Sequence, residues 1–201
     1  MTSTKPPIDR SGRLNTERRE IILEAARTVF DEKGLQGASL RTIAKAAGCT
    51  TGAIYPYFSG KEEIYAEILR RSLVSLHEYI CPAPDAVGPA RQRFLRFIEF
   101  YDANPADFAL GLYLYDQGAP IGVGAELNAL LNLLLVQSVR LVAYGDTDGL
   151  GHTEDEALLL ATLMGIIISN STNRFRLYDT AFREIGNAAF SRLENSGMRF
   201  S

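Results

Sequence analysis

Residues 39–58 contain two short helical segments joined by a single glycine. The first segment repeats small and apolar residues at helical spacing, namely Leu40, Ile43, Ala44 and Ala47. Ser39 precedes this segment, and its hydroxyl is suited to cap the helix. Gly48 follows it, and glycine readily adopts the left-handed conformation of a tight helix stop. The pattern predicts a helix, a turn and a second helix that begins at once with Thr50.

The second segment is too small and too polar to be a core helix. Thr51, Gly52 and Ala53 occupy its first turn, where unpaired N–H groups and the positive end of the helix dipole favour phosphate. Their small side chains also permit close approach of another molecule. These properties predict a helix-turn-helix whose second helix enters a DNA groove. Pro56 lacks an N–H and opposes a continuing helix, so we expect the second helix to end or distort there.

Helical patterns flank the motif on both sides. Upstream, an apolar stripe follows Thr16 as N-cap and ends at Gly34; it consists of Ile22, Ala25, Ala26, Val29 and Phe30. Downstream, Ser59 and Glu62 have the spacing of a capping box, in which the glutamate reaches back to the N-cap backbone. This helix is predicted to begin at Lys61 and to run until Pro82.

The order and spacing of these residues resemble the TetR/AcrR family of bacterial transcriptional regulators over residues 16–76. The resemblance rests on Ile22 to Ala26, Phe30, Gly34, Ile43 to Gly48, Gly52 to Tyr55, Tyr57, Phe58, Lys61 and Glu62. It implies an all-α fold, in which a three-helix DNA-binding domain at 16–76, with its motif at 39–58, is joined by a linking helix to a helical effector-binding and dimerisation domain at 77–201. Gly60 departs from the pattern, because serine or asparagine is more usual before the lysine.

The resemblance also implies which residues contact DNA. The set comprises Arg41, Thr50, Thr51, Gly52, Ala53, Tyr55, Tyr57 and Lys61. The threonine hydroxyls are expected to bind phosphate or base edges, the tyrosines to reach phosphates, and Lys61 to neutralise one. Arg41 is expected to contact a base or a phosphate. The implied partner is a double-stranded operator with two-fold pseudo-symmetry.

Charge is distributed unequally along the 201 residues, whose formal net charge is −3. Residues 1–71 hold 12 Lys and Arg against 9 Asp and Glu, whereas residues 72–201 hold 9 against 15. A positive first part suits phosphate binding. A segment with Arg10, Arg13, Arg18 and Arg19 is either a backbone- or minor-groove-binding arm or a solvated one.

The remaining composition indicates a cytoplasmic protein without a membrane span. The longest strongly apolar stretch, residues 157–168, is shorter than the roughly 20 residues that a span requires, and the N-terminus has no apolar signal core. Cys49 and Cys81 lack metal-ligand spacing and are expected to be inert thiols, with a redox-sensing pair as the alternative.

The second domain is predicted to contain about five helices and no strand. The predicted helices are 91–104, 106–117, 125–144, 154–178 and a last helix capped by Asp179 that ends near Gly197. Residues 81–89, rich in proline and alanine, form the predicted linker.

The last two helices are predicted to form a homodimer, as the resemblance implies. Residues 157–168 are apolar almost all round, and the last helix has an apolar set that comprises Phe182, Ile185, Gly186, Ala189, Phe190 and Leu193. A buried monomer core is the alternative explanation of this apolarity. The two-fold dimer is favoured because it presents two reading helices about 34–36 Å apart to successive major grooves.

The helices before residue 144 hold the effector pocket in the family. Aromatic residues are dense there, and polar residues interrupt apolar helices, where burial without a partner is costly. The predicted pocket set is Phe97, Tyr101, Tyr113, Arg140, Asn170 and Arg174. The expected ligand is small and mostly apolar, and pairing or exposure of the polar groups is the alternative.

No nucleophile, base or metal set supports catalysis, and no cofactor is implied. His77 and His152 lack ligand spacing, and Gly122-Val123-Gly124 lacks the third glycine and the strand of a dinucleotide site. An enzyme is therefore the weaker alternative. A dimeric adaptor or ligand-binding protein without operator binding is the other alternative, and a small, polar, basic reading turn argues against it.

Overall fold

The computed structural model of the chain describes residues 10–82, 88–113, 125–147 and 154–200. Over these ranges the chain is helical and contains no strand, which confirms the predicted all-α class. Its α-helices are α1 (Arg10–Gly37), α2 (Leu40–Ala46), α3 (Lys61–Ile80), α4 (Ala90–Ala103), α5 (Pro105–Tyr113), α6 (Ala125–Tyr144), α7 (Glu154–Ser171) and α8 (Phe182–Asn195). Short 3₁₀ helices occur at Thr51–Ala53 and Arg174–Tyr178. None of the described helices is both long enough and apolar enough to cross a bilayer.

The chain divides into two compact units, Met1–Ile68 and Leu69–Ser201. Helix α3 begins in the first unit and ends in the second. The boundary between the units thus lies within α3. The boundary expected from the sequence, after residue 76, lies closer to the end of the same helix.

In the first unit, the apolar face of α1 packs with the helix-turn-helix around one small core. Its fully buried members include Ala26, Ile43, Ile54, Phe58, Ile64 and Tyr65. The helix begins at Arg10, so Thr16 lies inside it and the predicted N-cap is wrong. Gly34, with φ 65°, interrupts the helical backbone as its residue type predicts, although helical turns resume as far as Gly37.

In the second unit, α4 is the central helix and packs against α5, α6, α7 and α8. It buries both aromatic and aliphatic side chains, among them Phe94, Phe97, Ile98 and Tyr101. This density of buried aromatic rings makes α4 the core of the unit, because large apolar side chains gain most from burial. Helix α6 has the predicted bounds, and α3 begins at Lys61 as predicted and ends at Ile80, two residues before Pro82.

The prediction for the end of α7 is wrong. The helix ends at Ser171 instead of Tyr178, because Asn173 adopts a left-handed conformation with φ 56°. Asp179 is left-handed as well, with φ 49°, and does not cap α8, which begins after Ala181. Asparagine and aspartate tolerate this conformation better than most residues.

Candidate nucleic-acid interface

The start and end of α2 are fixed by local hydrogen bonds. The Ser39 hydroxyl accepts a hydrogen bond from the Thr42 N–H at 3.1 Å, and the Ser39 N–H donates to the Thr42 hydroxyl at 2.9 Å. At the other end, Gly48 has φ 65° and the Cys49 N–H donates to the Ala44 carbonyl at 2.9 Å. The predicted cap at Ser39 and the left-handed turn at Gly48 are confirmed.

The expected second helix is a shorter and tighter structure. Thr51–Ala53 forms one 3₁₀ turn, and further turns continue through Tyr57. We call residues 50–57 the reading segment. The Ile54 N–H donates to the Thr51 carbonyl at 3.1 Å, and the Tyr57 N–H donates to the Ile54 carbonyl at 2.9 Å. Pro56 explains why no longer helix forms, since proline supplies no N–H and disfavours helical conformation in the residue before it.

Buried side chains hold the reading segment on the first unit. Ile54 and Phe58 are 0% and 1% exposed, respectively, and anchor the segment at its middle and just beyond its end. Thr50, Gly52 and Tyr55 are exposed. Within the described chain, the hydroxyls of Thr50 and Thr51 accept and donate no hydrogen bond, so both remain available to another molecule. The segment therefore presents small and polar groups outward from a fixed backbone.

Tyr57 and Lys61 each have a partner inside the first unit. The Tyr57 hydroxyl donates to Asn15 Oδ1 at 3.2 Å, and Lys61 Nζ donates to the Ala38 carbonyl at 3.0 Å. The lysine contact joins the start of α3 to the residue before the α2 cap. Arg41 is exposed in the first turn of α2. No signal in the sequence pointed to the structural contact of Lys61.

Arg19 has an internal role that the sequence did not reveal. Its guanidinium lies 3.1 Å from Glu67 Oε1 and 4.9 Å from the centroid of the Phe58 ring. The side chain thus joins α1 to α3 beside the residue that ends the helix-turn-helix. A cation that contacts both a carboxylate and an aromatic face stabilises the position of the reading segment.

The cap of α3 uses a different glutamate from the predicted one. The Ser59 N–H and hydroxyl both donate to Glu63 Oε2, each at 2.7 Å. The predicted partner Glu62 is therefore wrong by one residue. Helix α3 begins at Lys61, so Glu63 is its third residue, the position whose carboxylate reaches back to groups before the helix.

The aromatic members of the predicted effector pocket lie in the core of the second unit. The rings of Phe97 and Tyr101 are 5.5 Å apart, and those of Tyr101 and Phe108 are 5.3 Å apart. Phe97 and Tyr101 are both buried. The side chain of Tyr113 lies outside the described residues.

The polar members of that set have their own partners or are exposed. Arg140 Nε lies 3.2 Å from Glu156 Oε1 in a buried ion pair, and the Asn170 amide donates to Asp102 Oδ1 at 2.5 Å. Arg174 is exposed on a 3₁₀ helix, so its spacing of four residues from Asn170 does not place the two side chains on one α-helix face. These three side chains are therefore paired or exposed, which is the alternative that the sequence left open.

Two titratable groups among the described residues of the second unit have shifted pKa values. His77 Nε2 lies 3.0 Å from the Leu134 carbonyl and 2.7 Å from the Ser138 hydroxyl, and burial lowers the pKa of the imidazole. Burial also lowers the pKa of Arg93, whose guanidinium donates to the Val142 carbonyl at 3.1 Å. Each of these two side chains links its own helix to α6. Among the described residues, no three potential metal ligands lie close enough together to hold an ion.

The residues expected at the dimer interface divide into two groups. Gly186, Phe190 and Leu193 are buried within the chain itself, where the Phe190 and Phe94 rings are 5.6 Å apart. The half-buried residues are Phe182, Ile185 and Ala189. The apolarity of α8 thus serves the core of its own unit to a larger extent than predicted.

The geometry of the first unit places the protein among helix-turn-helix DNA-binding proteins. Residues 22–68 match the family described as bacterial regulatory proteins, tetR family. The first unit therefore contains the DNA-binding domain of the TetR family of helix-turn-helix transcriptional regulators.

The curated relatives are similar over part of their length. The HTH-type transcriptional repressor KstR2 of Mycobacterium tuberculosis (strain ATCC 25618 / H37Rv) is 33% identical over 106 residues, which cover 52% of this chain and 44% of the relative. KstR2 of Rhodococcus jostii (strain RHA1) is 41% identical over 73 residues, which cover 36% and 35%. The chain therefore spans less than half the length of these relatives.

Solved structures extend the likeness to the whole fold. The fatty acid degradation regulator FadR from Bacillus halodurans gives a TM-score of 0.58 at 18% identity, over 95% of this chain and 96% of that one. FadR from Bacillus subtilis in complex with stearoyl-CoA gives 0.62 at 18% identity, over 87% and 96%. At this identity the comparison establishes the fold alone.

Proposed function

We propose that this protein is a cytoplasmic transcriptional repressor that binds a pseudo-palindromic operator through the reading segment. The observation that carries the proposal is the reading segment itself. Its backbone is anchored by buried Ile54 and Phe58, while the hydroxyls of Thr50 and Thr51 have no partner in the described chain. Hydroxyls on a rigid turn are suited to phosphate and base edges.

A gel shift with the DNA upstream of its own gene tests operator binding. The wild-type protein should shift this fragment at a concentration that leaves unrelated DNA of equal length free. Thr51→Ala should weaken operator binding by about 2- to 13-fold if the hydroxyl bonds a base, because a single hydrogen bond contributes ~0.5–1.5 kcal/mol. Lys33→Ala, at the exposed end of α1, is the matched control and should bind as the wild type does. Equal affinity for both fragments would favour the adaptor alternative.

The repressor is proposed to act as a homodimer that uses α7. The exposed residues of this helix fall in one sector of about 140° at 3.6 residues per turn. Apart from Glu154 they are small or apolar, namely Ala157, Leu158, Ala161, Gly165, Ile168 and Ser171. Leu158 is 50% exposed and Ile168 is 39% exposed. A continuous apolar helix face is typical of an interface, and small residues allow two helices to approach closely.

Substitution on this face tests the dimer. Ala161→Glu should give monomers in light scattering and poor operator affinity, because two half-sites would no longer be bound by one rigid particle. Ala125→Glu places the same change in the exposed first turn of α6 and should remain dimeric. Phe190 is unsuitable for this purpose, since a charge at a position that is 2% exposed would disrupt the core. A wild-type monomer at micromolar concentration would contradict the proposal.

Release of the operator is proposed to follow binding of a small, mostly apolar ligand in the second unit. Three observations support this step: the aromatic core around Tyr101, the family, and a solved structure of the same fold with bound stearoyl-CoA. A ligand changes operator affinity only if it binds one state of the dimer better than another, and couplings of ~1–3 kcal/mol change affinity about 5- to 150-fold. Helix α3 is the proposed mechanical link, because it is shared by both units.

Operator titrations test this step. Neutral apolar molecules of the length of a stearoyl chain are the first ligands to examine by calorimetry, followed by stearoyl-CoA, whose coenzyme A group is polar and charged. A ligand that binds should weaken operator affinity, and the operator should weaken ligand affinity by the same factor. Equal operator affinity with and without a bound ligand would remove the sensor and leave DNA binding intact.

A further inference from the structure

A surface pocket of about 250 Å³ lies between α1 and the helix-turn-helix in the first unit. Arg18 and Ile21 line it from α1, whereas Ala47 and Cys49 line it from the turn. Ala53 of the reading segment completes the wall. The pocket is therefore continuous with the surface that is proposed to face the operator.

Arg18 supplies the charge at this pocket. Its side chain is exposed, and no ion pair or hydrogen bond engages the guanidinium within the described residues. The adjacent Arg19 differs in this respect, since it contacts Glu67 and Phe58. Of these two neighbouring arginines, the structure thus leaves Arg18 available for an external anion.

We propose that this pocket receives a sugar–phosphate unit of the operator backbone and that Arg18 neutralises its phosphate. The inference rests on the proposed function. Each DNA strand carries one phosphate for every ~3.4 Å of helix axis, so a strand that passes Ala53 also brings phosphates past Arg18. The apolar wall formed by Ile21 and Ala47 suits the deoxyribose, and the guanidinium suits the phosphate oxygens. Such a contact positions the reading segment and is independent of base sequence.

The salt dependence of operator affinity tests the charge. Arg18→Gln should lower the slope of log affinity against log salt by about 0.9 for each reading unit bound, and it should weaken binding to operator and unrelated DNA by a similar factor. Arg18→Lys should retain the slope because it retains the charge. Lys33→Gln, on the same helix and exposed, is the control and should also retain it. An unchanged slope in Arg18→Gln would overturn the inference while operator binding stands.

Cysteine alkylation tests whether the pocket is occupied. Cys49 lines the pocket and Cys81 lies in the other unit; both are half-buried, and neither forms a disulfide. Saturating operator DNA should slow alkylation of Cys49 by N-ethylmaleimide several-fold, measured by mass spectrometry, and leave Cys81 unchanged. Equal rates at Cys49 with and without bound DNA would show that bound DNA leaves the pocket open, and would refute the proposal. A wild-type protein without operator affinity would refute the proposed function and this inference together.

Discussion

Gly186 offers the sharpest test of how α8 packs. A Cβ atom at this position would lie 2.5 Å from Ile98 Cδ1 and 3.1 Å from Leu95 Cδ2, both on α4. At Gly111 in α5 an added Cβ meets no atom within 4 Å. Gly186→Ala and Gly111→Ala are therefore the same chemical change in a crowded and an open helix position.

The expected free energies follow from two opposing effects. Alanine stabilises a helix interior by about 0.5–1 kcal/mol relative to glycine, which is the whole effect expected at Gly111. At Gly186 the added methyl also overpacks a core in which Ile98 is fully buried, at a cost of about 1–3 kcal/mol. The free energies of unfolding of the two variants should thus differ by about 1–3 kcal/mol, with Gly186→Ala the less stable.

A double-variant cycle isolates the clash. Ile98→Val removes the Cδ1 atom and by itself costs about 0.5–1.5 kcal/mol. Combined with Gly186→Ala it should recover most of the overpacking cost, so the two changes should be non-additive by about 1–3 kcal/mol. Urea unfolding followed by far-ultraviolet circular dichroism, at one protein concentration, measures all four proteins. Equal stabilisation by both glycine replacements would refute the packing argument, and dimer dissociation without loss of stability would place Gly186 at the interface instead.

Three further outcomes follow from the described contacts. Lys61→Ala should weaken binding to all DNA sequences and lower the salt slope by about 0.9 for each reading unit. Weaker binding with an unchanged slope would instead assign Lys61 a structural role, to which its contact with Ala38 contributes. Arg19→Met should lower the free energy of unfolding by about 1–3 kcal/mol in urea titrations, because Glu67 loses a charged partner, and the further change Glu67→Gln should recover part of that loss. Burial lowers the pKa of His77, so the unfolded chain takes up a proton at a higher pH than the folded chain does. The contribution of the neutral imidazole to folding stability is therefore fully present above pH 6.5 and is lost as the pH falls. The urea midpoint of His77→Gln should therefore change less than that of the wild type between pH 7.5 and 5, and identical pH profiles would contradict this.

The helix-turn-helix was predictable because its signals are local. Ser39 caps α2 through a residue three positions away, and Gly48 sets the turn through its own backbone angle. Both effects act within one helical turn, so residue type and spacing are sufficient to identify them. The shortness of the reading segment was predictable in part, since Pro56 indicated where regular helix had to end.

The candidate pocket was less predictable because its polar groups depend on partners that are distant in the sequence. Arg140 pairs with Glu156 sixteen residues later, and Asn170 pairs with Asp102 sixty-eight residues earlier. No spacing rule connects such positions. The end of α7 was missed for a different reason: the helical pattern continues past Asn173, whose left-handed backbone angle stops the helix.

The two last helices also differ in a way that their apolar composition did not reveal. Helix α7 buries one side, including Leu159 and Leu163, and exposes a second apolar side, whereas the exposed side of α8 is largely polar and includes Arg183 and Arg192. If α7 forms the proposed interface, two-fold symmetry brings the same face of each copy together, so that every residue near the axis meets its own counterpart. A glutamate at position 161 would then enter the contact twice and oppose its own charge. This doubling is the physical reason to expect that one substitution on α7 separates the dimer, while the same substitution on an outer helix leaves it intact.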